Sequence, residues 1–231
     1  MKKIFISLAV MFLFAACNKE DVPVYQDKLS YVQFLQSYTD SINVSFFLYP
    51  TETVHELPLV LKLAGAPLQG DTEFMISVLD ESTAKPEHYD LPAKLQFRAE
   101  RATDTLFLKL NKIDGLDRVP VRLVLEIQGK GNLLAGQTAY TRKIIWLSNT
   151  IAQPGWWDAA FTRSFLGAYT DKKFSEFIRI TKTGDLEGVE PDRVRALCLK
   201  FKAELVRLKN AGMPVREELS LIHISEPTRR S

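Results

Sequence analysis

Between Leu29 and Leu147 apolar residues recur at every second position, in short runs broken by Gly, Pro, Asp and Asn. A side-chain period of two is the period of a strand, and each such run hides one face and wets the other. The runs are Tyr31-Val32-Gln33-Phe34, then Ile42, Val44, Phe46 and Leu48, then Leu59, Leu61 and Leu63, followed by Phe74, Ile76 and Val78. Further on come Leu95 and Phe97, then Leu106, Leu108 and Leu110, then Val119, Val121, Leu123, Leu125 and Ile127, and last Tyr140, Arg142, Ile144 and Trp146. Ala64-Gly65-Ala66-Pro67, Lys112-Ile113-Asp114-Gly115 and Gly129-Lys130-Gly131-Asn132 read as turns between them. Roughly eight one-faced strands at this spacing predict a mainly β domain over 29–149, an immunoglobulin-like sandwich.

After Asn149 the period changes to that of a helix. Pro154-Gly155 breaks the chain, and Phe174, Phe177 and Ile178 fall at helical spacing within 171–180. A longer helix is predicted from the cap Glu190 and Pro191 through Val194, Leu197, Phe201, Leu205 and Leu208, closed by Gly212 and Pro214. Its apolar stripe has to be covered, so 150–218 is expected to be an α-helical C-terminal segment packed on the sandwich.

The first sixteen residues read as a secretory leader: Lys2-Lys3, the apolar run Ile4 to Phe14, then Ala15-Ala16. Eleven residues at about 1.5 Å each reach less than two thirds of a ~30 Å hydrocarbon core, so the run is too short to span one. Leu13-Phe14-Ala15-Ala16-Cys17 resembles a bacterial lipobox, which makes Cys17 the expected lipid attachment point and 17–28 an acylated linker. Lys19, Glu20 and Asp21 resemble the signal by which Bacteroidetes send lipoproteins to the outer face of the outer membrane. With Cys17 acylated, Cys198 has no partner for an intramolecular disulfide and is expected to be a small buried thiol.

At the other end, 219–231 reads like the translation of a sequencing adapter and is excluded from the fold reasoning. The formal charge of +2 owes much to these ends. Without Lys2, Lys3 and the Glu226, Arg229 and Arg230 of the tail it falls to about −1, so the charge excess typical of nucleic-acid binding is missing.

Catalysis needs a nucleophile or a paired acid and base. No Gly-x-Ser-x-Gly, His-Glu-x-x-His, Cys-x-x-Cys or phosphate-cradling loop occurs, and the chain is expected not to be an enzyme, with no cofactor and no metal. His55 and His88 stand in predicted loops and read as solvated. Asp80-Glu81, Asp114 with Asp117, and Asp185, Glu187, Glu190 and Asp192 lack calcium-loop spacing and read as turn and cap residues. Adjacent Trp156 and Trp157 follow a Pro-Gly corner, where one ring can seal the core while the other offers a stacking face to a sugar. A near-neutral chain has no electrostatic hold on anionic polymers, so this pair is the expected source of affinity for a neutral glycan.

The Ile144-Ile145-Trp146-Leu147-Ser148 strand, the Pro154-Gly155-Trp156-Trp157 corner and the run Phe165-Leu166-Gly167-Ala168-Tyr169-Thr170-Asp171-Lys172-Lys173-Phe174 together resemble a DUF4843-like family of Bacteroidetes surface lipoproteins. Ala84-Lys85-Pro86-Glu87-His88-Tyr89 resembles an element of Calx-β domains, with His88 where Asp is usual. The family resemblance implies an outer-membrane, cell-surface setting beside starch-utilisation-type importers, a TonB-dependent barrel with its lipoprotein lid. It implies a non-catalytic accessory of glycan uptake that binds polysaccharide or the importer. A calcium-dependent Calx-β-like adhesion module and a small glycan hydrolase are the alternatives.

Overall fold

The computed structural model describes residues 29–217 and 220–221. The leader at 1–16, Cys17 and the Lys19, Glu20 and Asp21 signal lie outside them, as does most of the 219–231 tail. Two sheets and a C-terminal helical layer make up the fold. The first sheet has the order β10-β1-β3-β8-β6, with β1 Ser30–Phe34, β3 Val54–Gly65, β6 Tyr89–Asp90, β8 Thr103–Asn111 and β10 Leu133–Ala135. The second has the order β2-β11-β9-β5, with β2 Ile42–Ser45, β5 Met75–Val78, β9 Val121–Gln128 and β11 Arg142–Ser148. A small pair, β4 Thr72–Glu73 and β7 Gln96–Phe97, stands apart.

The alternation read from the sequence is what places the core. In β3, Leu57, Leu59 and Leu61 are buried while Glu56, Pro58, Val60 and Lys62 face outward. Antiparallel β8 answers with buried Leu106, Leu108 and Leu110, in register Leu57↔Leu108 and Leu59↔Leu106. These leucines meet Leu123, Leu125 and Ile127 of β9 and Ile145 and Leu147 of β11 in one core between the sheets. Pro58 is tolerated inside β3 for a geometric reason. Val60 O accepts from Leu35 N at 2.9 Å, so backbone groups of that parity point toward β1, and β1 has ended before it reaches Pro58.

β11 corrects the sequence reading. Tyr140, Arg142, Ile144 and Trp146 do not form the buried set; the inward residues are Lys143, Ile145 and Leu147. Tyr140 lies in the short helix α1, Thr138–Thr141, and Arg142 and Trp146 are exposed, with the Arg122 guanidinium 5.9 Å from the Trp146 ring centroid. Lys143 can face inward because its Nζ donates to Asp40 O at 2.8 Å and Gln36 Oε1 at 3.3 Å at the rim. Burial lowers its pKa. Val119, also expected inside, is 66% exposed because it precedes β9.

Asp104 in β8 is the one acidic side chain among the buried polar residues described. Its carboxylate accepts from Arg98 N and Thr105 N at 2.9 and 2.8 Å and from the Arg98 guanidinium. Burial pushes its pKa up, but these hydrogen bonds outweigh it and hold the group at about 2. A carboxyl whose folded pKa lies below its unfolded value stabilises the fold above the unfolded value, and that contribution disappears as pH falls through the folded one. The expected contribution is about 2 kcal/mol, present above pH ~4 and lost toward pH ~2. Urea midpoints of wild type and Asp104→Asn, well separated at pH 6, should converge across that window.

Beyond the sandwich, α2 Ala159–Phe161 is capped by Asp158, whose Oδ1 accepts from Phe161 N at 2.7 Å, and it runs on into a π-turn over Thr162–Leu166. α3 spans Asp171–Thr181 behind a Thr170 cap. α4 spans Pro191–Asn210, where the sequence places its longest helix, and buries Cys198 and Phe201. Desolvation pushes the Cys198 thiol up to about 12, as suits an inert packed sulfur. Among the described residues no helix is long and apolar enough to cross a membrane.

Candidate functional site

One ring of the tryptophan pair seals the core, as the sequence allows. Trp157 has no exposed surface, and its Nε1 donates to Gly167 O at 3.0 Å. The two indoles stack at 5.5 Å, and the Trp156 ring meets Phe161 and Phe174 edge-on at 4.9 and 5.8 Å. Phe174, Phe177 and Phe201 complete an aromatic core for the helical layer, which encloses the Trp157 ring and takes part of the Trp156 ring. Trp156 is only partly buried, but its Nε1 is enclosed without a partner.

The histidines also depart from expectation. His88 is buried, 6% exposed, and its Nδ1 accepts from Lys85 N at 3.0 Å. Pro86 starts the single turn that folds the ring back onto its own backbone, so His88 is a local cap. His55 is half-buried, stacked on Tyr49 at 4.0 Å and 3.0 Å from Glu52 Oε2. Tyr49 in turn donates to Asp185 Oδ2 at 2.9 Å, while Asp185 Oδ1 accepts from Glu187 N as turn chemistry predicts. No cluster of three or more His, Cys, Asp or Glu fit to hold a metal occurs among the described residues.

The feature with recognition geometry lies on the outer face of the first sheet, around β1. Val32 and Phe34 point into the core, so Tyr31, Gln33 and Leu35 point out. Parallel β10 pairs with β1 over Ser30↔Leu133 to Val32↔Ala135, and the chain then crosses toward β11 alongside β1. Gly136 N donates to Val32 O, Gln137 N to Gln33 Oε1 at 3.2 Å, and Tyr38 N to Ala139 O. These bonds raise 136–140 into a wall, with Lys62 and Ala64 of β3 on the opposite side. The groove between them has a volume near 530 Å³.

Two tyrosine rings, Tyr31 and Tyr140, and the Gln33 and Gln137 amides line it. Aromatic surface with a few placed polar groups is a combination that small-ligand sites use. Gly136 is required by close approach: a Cβ there would stand 2.4 Å from Gln33 Oε1 and 2.8 Å from Gln33 Cβ. Gln33 is therefore fixed, only 8% exposed, with its Oε1 occupied. Among the described residues its Nε2 has no hydrogen-bond partner. The sequence reading missed the site because Tyr31 and Tyr140 are far apart in the chain. The local signs were outward parity on β1 and a glycine directly before Gln137.

A family model described as a domain of unknown function, DUF4843, matches residues 25–183. No functionally curated protein matches the chain. Similar solved structures include a Bacteroides ovatus protein named as a candidate carbohydrate-binding protein, 11% identical with a TM-score of 0.39 over 52% of this chain and 37% of its own. A second Bacteroides ovatus protein, of unknown function, is 15% identical with a TM-score of 0.38 over 52% and 44%. The Calx CBD2 domain is 10% identical with a TM-score of 0.35 over 51% and 86%. The chain thus spans less than half the length of the two Bacteroides proteins.

Proposed function

The chain belongs to the DUF4843 family, and from that premise we propose that it is a non-catalytic, lipid-anchored cell-surface accessory of glycan uptake whose groove beside β1 binds the glycan. The observation that carries this reading is the pairing of the Tyr31 and Tyr140 rings with an immobilised Gln33 amide in an open groove. Rings offer apolar faces to sugar C–H groups, and the amides offer hydrogen bonds to hydroxyls. The anchor is assigned to Cys17 by its lipobox-like setting, and the outward destination to Lys19, Glu20 and Asp21. The importer and its lipoprotein lid are the proposed partners, with polysaccharide as the shared cargo.

Two measurements test the reading. Retention of the purified chain should be measured on a panel of immobilised polysaccharides, with reducing ends followed in parallel. Tyr140→Ala is expected to weaken binding five- to tenfold without a matching loss of melting temperature, and no reducing ends should appear. Unchanged retention in Tyr140→Ala, or release of reducing ends, contradicts the proposal. In cells, Cys17→Ala should shift the protein from the membrane to the soluble fraction, and protease added outside should digest the wild type. Full protection of the wild type in intact cells would place it facing the periplasm.

A further inference from the structure

Resting on the groove's role as a glycan site, we propose that it selects a sugar bearing an acidic substituent, a carboxylate or a sulfate, which Lys62 and Gln33 receive. Lys62 is exposed at the groove's side and is the one residue lining it that is charged at neutral pH. No carboxylate lines the groove to neutralise it. Among the described residues Lys62 makes no ion pair or hydrogen bond, whereas Lys109 on the same outward face of the sheet stands 3.8 Å from Glu56. The sheet face thus offers its cation a partner at one end and leaves one without at the groove.

Gln33 adds to this asymmetry. The Gln137 N–H can be met only by the amide oxygen, which fixes the flip and leaves Nε2 as the amide's donor beside the groove. The lining therefore presents two fixed or tethered N–H donors, Lys62 Nζ and Gln33 Nε2, with no anionic acceptor beside them. A ligand rich in acceptors and carrying negative charge fits such a lining better than a neutral sugar does. The overall charge of about −1 hides this local excess, and the proposal departs here from the neutral-glycan expectation drawn from composition.

The test is an array of uronic-acid, sulfated and neutral oligosaccharides of matched length, probed with the purified chain and with Lys62→Gln and Tyr140→Ala. The expected result is binding concentrated on acidic members, about tenfold tighter than on neutral counterparts at low salt, with the gap closing at 0.5 M NaCl. Lys62→Gln should abolish that gap, while Tyr140→Ala weakens both classes. A preference for carboxylate over sulfate, or the reverse, identifies which acid is read. Equal binding of acidic and neutral members, or a gap that survives Lys62→Gln, overturns the acidic preference and leaves the glycan site standing. Absence of binding to every member, or full retention by Tyr140→Ala, overturns the site itself and the preference with it.

Discussion

Trp157→Ala is expected to lose about 3–5 kcal/mol of stability, the range for truncating a fully buried large aromatic. The ring contacts Trp156, Phe161, Tyr169 and Phe174, and its Nε1–H has a partner in Gly167 O that would be left unpaired. A drop of roughly 10 °C or more in melting temperature follows for a chain of this size. Trp156→Ala should cost less, about 1–3 kcal/mol, because the ring is partly exposed and its enclosed Nε1 already lacks a partner. Both variants should therefore melt low, Trp157→Ala lower. A Trp157→Ala variant that melts like wild type would show that the aromatic core is misassigned.

The second large effect is expected at Gly184. Its N–H donates to Leu48 O at 3.1 Å, joining the turn after α3 to the short 3-10 segment Phe46–Leu48 that follows β2. A Cβ at this position would stand 2.5 Å from Leu48 O and 2.7 Å from Leu48 Cα, and backbone cannot swing aside as a side chain does. Gly184→Ala should cost about 1–3 kcal/mol and loosen the helical layer from the sandwich, since Phe47 and Leu48 pack into the helical core. Gly155→Ala is the control: nothing lies within 4 Å of its added Cβ, and it should melt like wild type. Circular dichroism at 222 nm should show Gly184→Ala losing helix before the sandwich unfolds. Coincident single transitions in both variants at the wild-type temperature would contradict the joint.

Much of the architecture was legible because it is written in local period. β3 and β8 alternate cleanly, and α4 carries its stripe between a proline start and a glycine stop. β11 was misread by one residue because a lysine stem can lie in a core when its ammonium reaches the rim, while Trp146 sits outside under Arg122. Parity cannot separate those two cases. His88 was taken as solvated because a cap closing on its own backbone looks, in sequence, like any loop histidine. The Trp pair drew attention by composition, yet large rings at a corner are most readily used to fill one. The groove was invisible for a different reason. It depends on the parallel pairing of β1 with β10, which brings together segments about a hundred residues apart, and neither segment alone carries a binding motif.

The measurement that bears most directly on the central claim is an amide NMR titration of the isotope-labelled chain with the glycan that the panel retains best. Shifts should be largest for residues 31–35, 62–64 and 136–140, with the Gln33 side-chain amide among the strongest movers. Shifts centred instead on Trp156, Trp157 and α3, with the groove residues unmoved, would contradict the account.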